Sequence, residues 1–270
     1  MARLPTRRAT PAPRRSWVEQ IMGLPISVLA RGPAAHEPAA LAAVRAVFAE
    51  LVEMDAAFSP YRPDSIVSAL VRGELALADC DELVQEVALR CDRAKELTGG
   101  LFDPVRPDGR WDPSGLVKGW AVERAARHLA AVPGVDWCLN AGGDVAVVCP
   151  SAVPFIVGIQ DPLSPGRVAD SVPCTGGGVA TSGTAARGEH LYDPRSGRAA
   201  VAVASVTVIG PSLETADVLA TAAFVAGDQA LDLIETVAGY QAMRIDAAGG
   251  RSSTPGWSGS VVRGDGRLSG

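Results

Sequence analysis

Apolar residues return along this chain with two periods, and the places where one gives way to the other predict its elements. From Pro38 to Asp55, Leu41, Val44, Val47, Phe48, Leu51 and Val52 recur every three or four residues, laying an apolar stripe along one helix. The same spacing predicts helices over Asp81–Thr98, Gly119–Leu129, Thr215–Ala226 and Asp228–Ala238, with Gly99-Gly100 closing the first of these. Shorter runs rich in β-branched residues predict strands at Ile21–Arg31, Trp137–Asn140, Val145–Cys149, Phe155–Ile159, Val179–Ser182 and Val201–Ile209. Phe58–Ser65, with two prolines, reads as a loop. Strands and helices alternate irregularly, which fits α+β or mixed α/β better than a regular doubly wound sheet.

Composition narrows the class. Of 270 residues, 47% are hydrophobic, enough for a sizeable core, while 29 glycines and 20 prolines exclude an all-helical bundle. A net charge of −5 argues against a nucleic-acid partner, which requires excess Lys and Arg. The basic residues Arg3, Arg7, Arg8, Arg14 and Arg15, interleaved with prolines, predict a disordered arm over residues 1–16. A Gly-, Ser- and Arg-rich stretch predicts a loosely ordered tail over 249–270, leaving 17–248 as the folded domain. No run approaches the roughly 18 apolar residues of a bilayer span and no secretory apolar segment follows the arm. The expectation is a cytoplasmic protein without membrane insertion. Five scattered cysteines with no C-x-x-C pair predict neither a disulfide framework nor a zinc site.

Four segments carry more polar and glycine residues than packing needs. Asp112–Gly119, ahead of a helix, could offer backbone N–H groups and Lys118 to a phosphate, though it lacks P-loop spacing. Asn140-Ala141-Gly142-Gly143-Asp144 would let a flat ligand or a phosphate approach the backbone, and a plain hairpin turn explains it nearly as well. Thr181–Thr184, Arg187 and Glu189–Gly197 gather hydroxyls, arginines, a carboxylate and His190, the side chain best suited to move protons near neutrality. Asp217 and Thr221, four apart on a predicted helix, place a carboxylate and a hydroxyl on one face, where they could hold a hard cation. Each also has an ordinary structural explanation when taken alone.

In this order the segments resemble the FAD:protein FMN transferase (ApbE) family, from about Met22 to Gly227. The resemblance is carried by Met22-Gly23, F-S-x-Y-R-P-x-S at Phe58–Ser65, G-x-F-D-P at Gly100–Pro104, and the Gly115–Gly119 stretch with Lys118. It continues through N-A-G-G-D at Asn140–Asp144, T-S-G at Thr181–Gly183, H-L-Y-D-P-R-S-G at His190–Gly197, and Asp217 with Thr221. It implies an α+β, T-fold-related architecture of two closely packed α/β lobes with FAD in the cleft between them. It further implies Mg²⁺-dependent transfer of FMN from FAD, by a phosphoester, to a threonine of an acceptor flavoprotein. FAD hydrolysis to FMN and AMP, or flavin binding without turnover, remain alternatives. On matching positions, Asp217, Thr221 and the Gly115 carbonyl would hold the metal, and His190 and Lys118 would be catalytic. Met22, Tyr61, Leu101, Phe102, Asp103, Asp112, Lys118 and Leu191 would line the FAD site. Two departures stand out. Ser68–Val71 replaces a stretch in which many members carry an Asn. Only eight residues separate Asp103 from Asp112, where a long insert is common, so one side of the cleft is expected to lie exposed.

Overall fold

A computed structural model describes residues 12–184, 193–195, 197, 200 and 203–259, and the structural statements below concern these residues. In chain order the elements are β1 (Arg14–Ile21), β2 (Leu24–Arg31), α1 (Pro38–Phe58), α2 (Ile66–Val71), α3 (Glu82–Leu97), α4 (Ser114–Ala130), β3 (Asp136–Ala141) and β4 (Asp144–Val148). Then follow β5 (Phe155–Gln160), β6 (Val168–Cys174), β7 (Gly176–Gly183), β8 (Val203–Gly210), α5 (Leu213–Ala226), α6 (Ala230–Glu235), β9 (Gln241–Asp246) and β10 (Arg251–Ser253).

Eight strands form one antiparallel sheet in the order β1-β2-β3-β4-β7-β8-β9-β10. The pleat sorts its side chains between two cores. Val28 is registered with Leu139, and Leu139 with Ala146; with Ala180, Val206, Val208 and Ala242 these face the helices. Their neighbours Val145, Val147, Val179, Met243 and Ile245 face the other way, under a separate β5–β6 hairpin that contributes Phe155, Val157, Ile159 and Val172. Each fully buried aliphatic or aromatic side chain contributes about 1.5–3 kcal/mol. The mixed α+β architecture matches the expectation. The sheet runs without a break, so the two expected lobes are halves of it: α1 and α4 pack on the β1–β4 half, α5 and α6 on the other.

Several boundaries differ from the sequence reading. The strand expected over Ile21–Arg31 is β2 from Leu24 on, and its first residues belong to a hairpin: β1 and β2 turn at Met22-Gly23, both left-handed at φ 57° and 68°, as the twist of a two-residue hairpin demands. β1 therefore takes in Arg14–Ser16, the last residues of the expected arm. Those residues are held by the ladder to β2 and by the Arg15 guanidinium lying 4.9 Å from the centroid of the Trp17 ring. At the other end the described part of the tail, residues 249–259, is built into the fold. β10 pairs with β9, Thr254 is buried, and the Trp257 indole donates to Asp170 at 3.0 Å. Helix α4 starts at Ser114 rather than Gly119, so Gly115 and Lys118 belong to its first two turns. β6, β9 and the short α2 were not anticipated. Asp170 and Pro173 interrupt the apolar run of β6, and α2 depends on the Ser65 hydroxyl accepting from the Ser68 N–H at 3.0 Å. Where caps are plain the boundaries agree: Asp81 accepts from the Val84 N–H to start α3, and left-handed Gly99 and Gly100 end it. No helix among the described residues is long and apolar enough to cross a membrane.

Candidate active site

A cleft of about 260 Å³ opens where α4 and α5 meet the ends of the sheet strands. The β1–β2 turn gives it Met22, and the end of α1 with the following loop gives Met54, Phe58 and Tyr61. Residues 101–112 contribute Leu101, Phe102, Asp103, Arg106 and Asp112. The first turns of α4 bring Gly115 and Lys118, β7 brings Thr181–Gly183, and α5 brings Asp217 and Thr221. Ten of the twelve residues singled out in the sequence thus line one cleft. His190 and Leu191 lie outside the described residues; Pro194, from the same motif, lines the cleft.

Glycine sets the floor. A Cβ at Gly119 would sit 2.7 Å from Asp217 Cβ and 3.0 Å from the Leu213 carbonyl, so α4 and α5 cross at a distance only glycine allows. That approach lets the Gly119 N–H donate to Asp217 Oδ2 at 3.0 Å. In an α-helix this N–H is directed at the carbonyl of Gly115. The Gly115 carbonyl therefore has at most a share in its helical donor, and lone-pair capacity remains for another partner.

Two buried acids flank one ammonium here. Asp144, 1% exposed, ion-pairs with Lys118 Nζ and accepts from the Thr181 N–H at 3.2 Å. Asp217, 2% exposed, has Oδ1 3.5 Å from the same Nζ. Burial, and next the Asp144 charge, push the Asp217 carboxyl up to about 7, against the pull of Lys118 and the Gly119 N–H. Among the described residues the trio formally sums to one negative charge, a setting that favours a further cation.

The donor chemistry fits a hard divalent ion. Asp217 offers a carboxylate, Gly115 a carbonyl and Thr221 a hydroxyl that lies 3.2 Å from Ser182 Oγ, which can fix the direction of its proton. Among the described residues no group of three His, Cys, Asp or Glu side chains is arranged for a metal. An ion here would rest on mixed oxygen donors completed by water and phosphate, as suits Mg²⁺.

The walls divide into apolar and committed polar groups. Phe102 is buried against Gly115, where an added Cβ would come within 3.1 Å of its ring. Tyr61 is 79% exposed at the rim, on a loop tied by Ser65 Oγ donating to the Ser59 carbonyl at 2.7 Å and Ser68 Oγ donating to that of Arg62 at 2.6 Å. Asp103 pairs with Lys95 at 2.7 Å. Asp112 accepts from the Ser114 N–H at 3.1 Å and from Arg106 at 3.1 Å, so it fixes the turn leading into α4 and anchors the neighbouring loop. That loop is a tight hairpin, with Val105 bridged to Trp111, and it brings Arg106 to the side of the cleft expected to be bare.

Sequence reasoning passed over Asp144 and Arg106 as site residues. In the sequence Asp144 reads as the end of a glycine turn, and that turn lines the cleft through Gly142. The available signal was an acid opening the otherwise apolar strand D-V-A-V-V, where it must be buried.

A model of the ApbE family matches residues 22–108 and 105–244. Among curated proteins, the FAD:protein FMN transferase of Rhodobacter capsulatus is 29% identical over 204 residues, covering 72% of this chain and 36% of that protein. The Vibrio cholerae protein of the same name is 31% identical over 145 residues, 49% of this chain and 43% of its own. The chain thus spans well under half the length of these curated relatives. Among solved structures, the ApbE protein of Thermotoga maritima superposes with a TM-score of 0.79 at 21% identity, over 90% of this chain and 97% of that one. The Pseudomonas stutzeri flavinyl transferase ApbE superposes with a TM-score of 0.73 at 21% identity, over 91% and 97%. At these identities the likeness is one of fold.

Proposed function

This chain belongs to the ApbE family, and on that premise we propose that it is an Mg²⁺-dependent FAD:protein FMN transferase. Its acceptor is a threonine of a partner flavoprotein. The observation that carries this reading is the pair of buried carboxylates sharing Lys118 beneath the cleft, with Thr221 and Gly115 beside them. In the reaction the threonine Oγ forms a bond to the FMN phosphorus, the anhydride P–O bond breaks, and AMP leaves with the bridging oxygen. The threonine proton passes to a base, a role assigned to His190.

Each residue's task follows from its chemistry. Asp217, Thr221 and the Gly115 carbonyl hold Mg²⁺, which supplies charge neutralisation on the diphosphate oxygens. Lys118 adds a positive charge from the second turn of α4, within reach of the same anion. Phe102, Leu101 and Met22 provide apolar surface that keeps water from one side of the ligand, and Tyr61 offers an exposed ring at the rim for the flavin. Leu191, outside the described residues, is assigned to the FAD site by its place in the H-L-Y-D-P-R-S-G motif. Ser182 directs the Thr221 proton away from the ion.

The test is incubation with FAD, Mg²⁺ and a co-expressed flavoprotein, followed by mass spectrometry and nucleotide analysis. Transfer yields AMP and a protein carrying FMN as a phosphoester. Free FMN with AMP would instead identify a hydrolase, and bound FAD without AMP would defeat the enzymatic reading.

A further inference from the structure

Asp144 has no part in the steps above, yet it holds the ammonium of Lys118 more closely than Asp217 does. Its other oxygen accepts the Thr181 N–H at 3.2 Å, which fixes the carboxylate at the start of β4. Asp217 is fixed in the same manner by the Gly119 N–H at 3.0 Å. One ammonium therefore stands between two immobilised carboxylates, and the side chain carrying it is part-exposed toward the cleft. A divalent ion that binds Asp217 arrives at a carboxylate already facing a positive charge. Two cations on one buried carboxylate repel strongly where water is scarce, so the ammonium must have another anion to rest on. Asp144 is that anion.

We propose that Lys118 competes with the divalent cation for Asp217, and that Asp144 is the positioning residue which keeps the ammonium when the cation takes Asp217. The inference rests on the assignment of Asp217 as a cation ligand. It gives Lys118 and Asp144 opposite effects on cation affinity. A salt bridge that only braced the fold would, broken from either end, disturb the site in the same direction. Competition separates the two ends: losing the ammonium removes a competitor, while losing Asp144 leaves the ammonium with Asp217 as its remaining anionic partner in the trio.

The experiment is isothermal titration of the full chain with Mg²⁺ alone, without flavin, on the wild type, Lys118→Met, Asp144→Asn and the double variant. The Asn side chain keeps an oxygen for the Thr181 N–H. Lys118→Met is expected to bind Mg²⁺ roughly tenfold more tightly, and Asp144→Asn roughly tenfold more weakly. The double variant should return to within about threefold of the wild type. Single variants that move in the same direction, or not at all, overturn the proposal. Should Asp144→Asn fail to fold in a thermal melt, Lys118→Met decides alone: tighter binding supports the proposal, and unchanged or weaker binding overturns it. Failure of the underlying cation assignment looks different, because then no protein, wild type included, takes up Mg²⁺.

Discussion

Two buried ion clusters in this molecule use the same ingredients and reach opposite electrostatic states. At the β2–β3 end, Asp136 receives Arg31 at 3.1 and 3.0 Å, the Ser151 N–H at 3.0 Å and the Ser151 hydroxyl at 2.7 Å. Burial alone would raise its carboxyl, but the Ser151 and Arg31 hydrogen bonds outweigh burial and hold it below the usual carboxylate range. Arg31 is engaged as fully, reaching the Val153 and Pro154 carbonyls and lying 4.1 Å from the centroid of the Phe155 ring. Beneath the cleft, by contrast, two acids share one ammonium, and the Asp217 carboxyl is driven upward. The first cluster is electrostatically closed and braces the turn into β5. Among the described residues the second sums to one negative charge, which is how a binding site differs from a brace.

That contrast can be broken from either side. The largest effect is expected at the brace: Asp136→Asn leaves the Arg31 guanidinium buried without its charge partner and should cost about 3–5 kcal/mol of stability. Urea denaturation measures this, while turnover per folded molecule stays at the wild-type level. At the site the pattern inverts. Asp217→Asn should reduce Mg²⁺-dependent AMP release on the order of 100- to 1000-fold. Its thermal midpoint without metal should equal or exceed that of the wild type, because a strained buried charge has been removed; a clear drop would make Asp217 a structural acid. Gly119→Ala comes next. Its Cβ must displace Asp217 or part the two helices, which should cost about 1–3 kcal/mol and weaken Mg²⁺ binding in the same titration.

Taken per pH unit, the smallest effect sharpens the comparison. Asp217 has a native pKa above its unfolded value, so between about pH 4 and 7 the folded protein binds more protons than the unfolded one. Metal-free stability should therefore decline as pH rises through this window, by at most about 1.4 kcal/mol per unit. Saturating Mg²⁺ should flatten the decline by favouring the ionised carboxylate. Asp136 works in the other direction: its stabilisation is present at neutral pH and is lost in acid, as pH falls through its lowered native value. Thermal melts across pH, with and without Mg²⁺, separate the two contributions.

Local chemistry made some of this legible in the sequence and geometry hid the rest. α1 and α3 could be drawn because an apolar stripe and, for α3, an Asp cap and a Gly-Gly stop act within a few residues of one another. The β1–β2 hairpin could not, because Met22 in a left-handed turn gives no compositional sign of one, and arginines disguise the half-buried alternation of β1. In the site, Asp217 and Thr221 were visible as a pair on one helix face. The partnership of Lys118 with Asp144 was not, since it joins α4 to β4 across a contact that only the folded sheet creates. Arg106 was hidden for a similar reason: a shortened loop reads as something missing, whereas a tight hairpin supplies a side chain in its place.

On the proposed function, the unbroken sheet carries a consequence for the acceptor protein. Its two halves are sewn together by the β4–β7 ladder, from Val145 opposite Val179 to Val148 opposite Gly176, with packed side chains on both faces. Prising the two halves of the sheet apart would tear that seam, so the floor of the cleft keeps a fixed span. The burden of adaptation then passes to the visitor. A threonine carried on an extended segment is, on that function, the acceptor shape best suited to that floor.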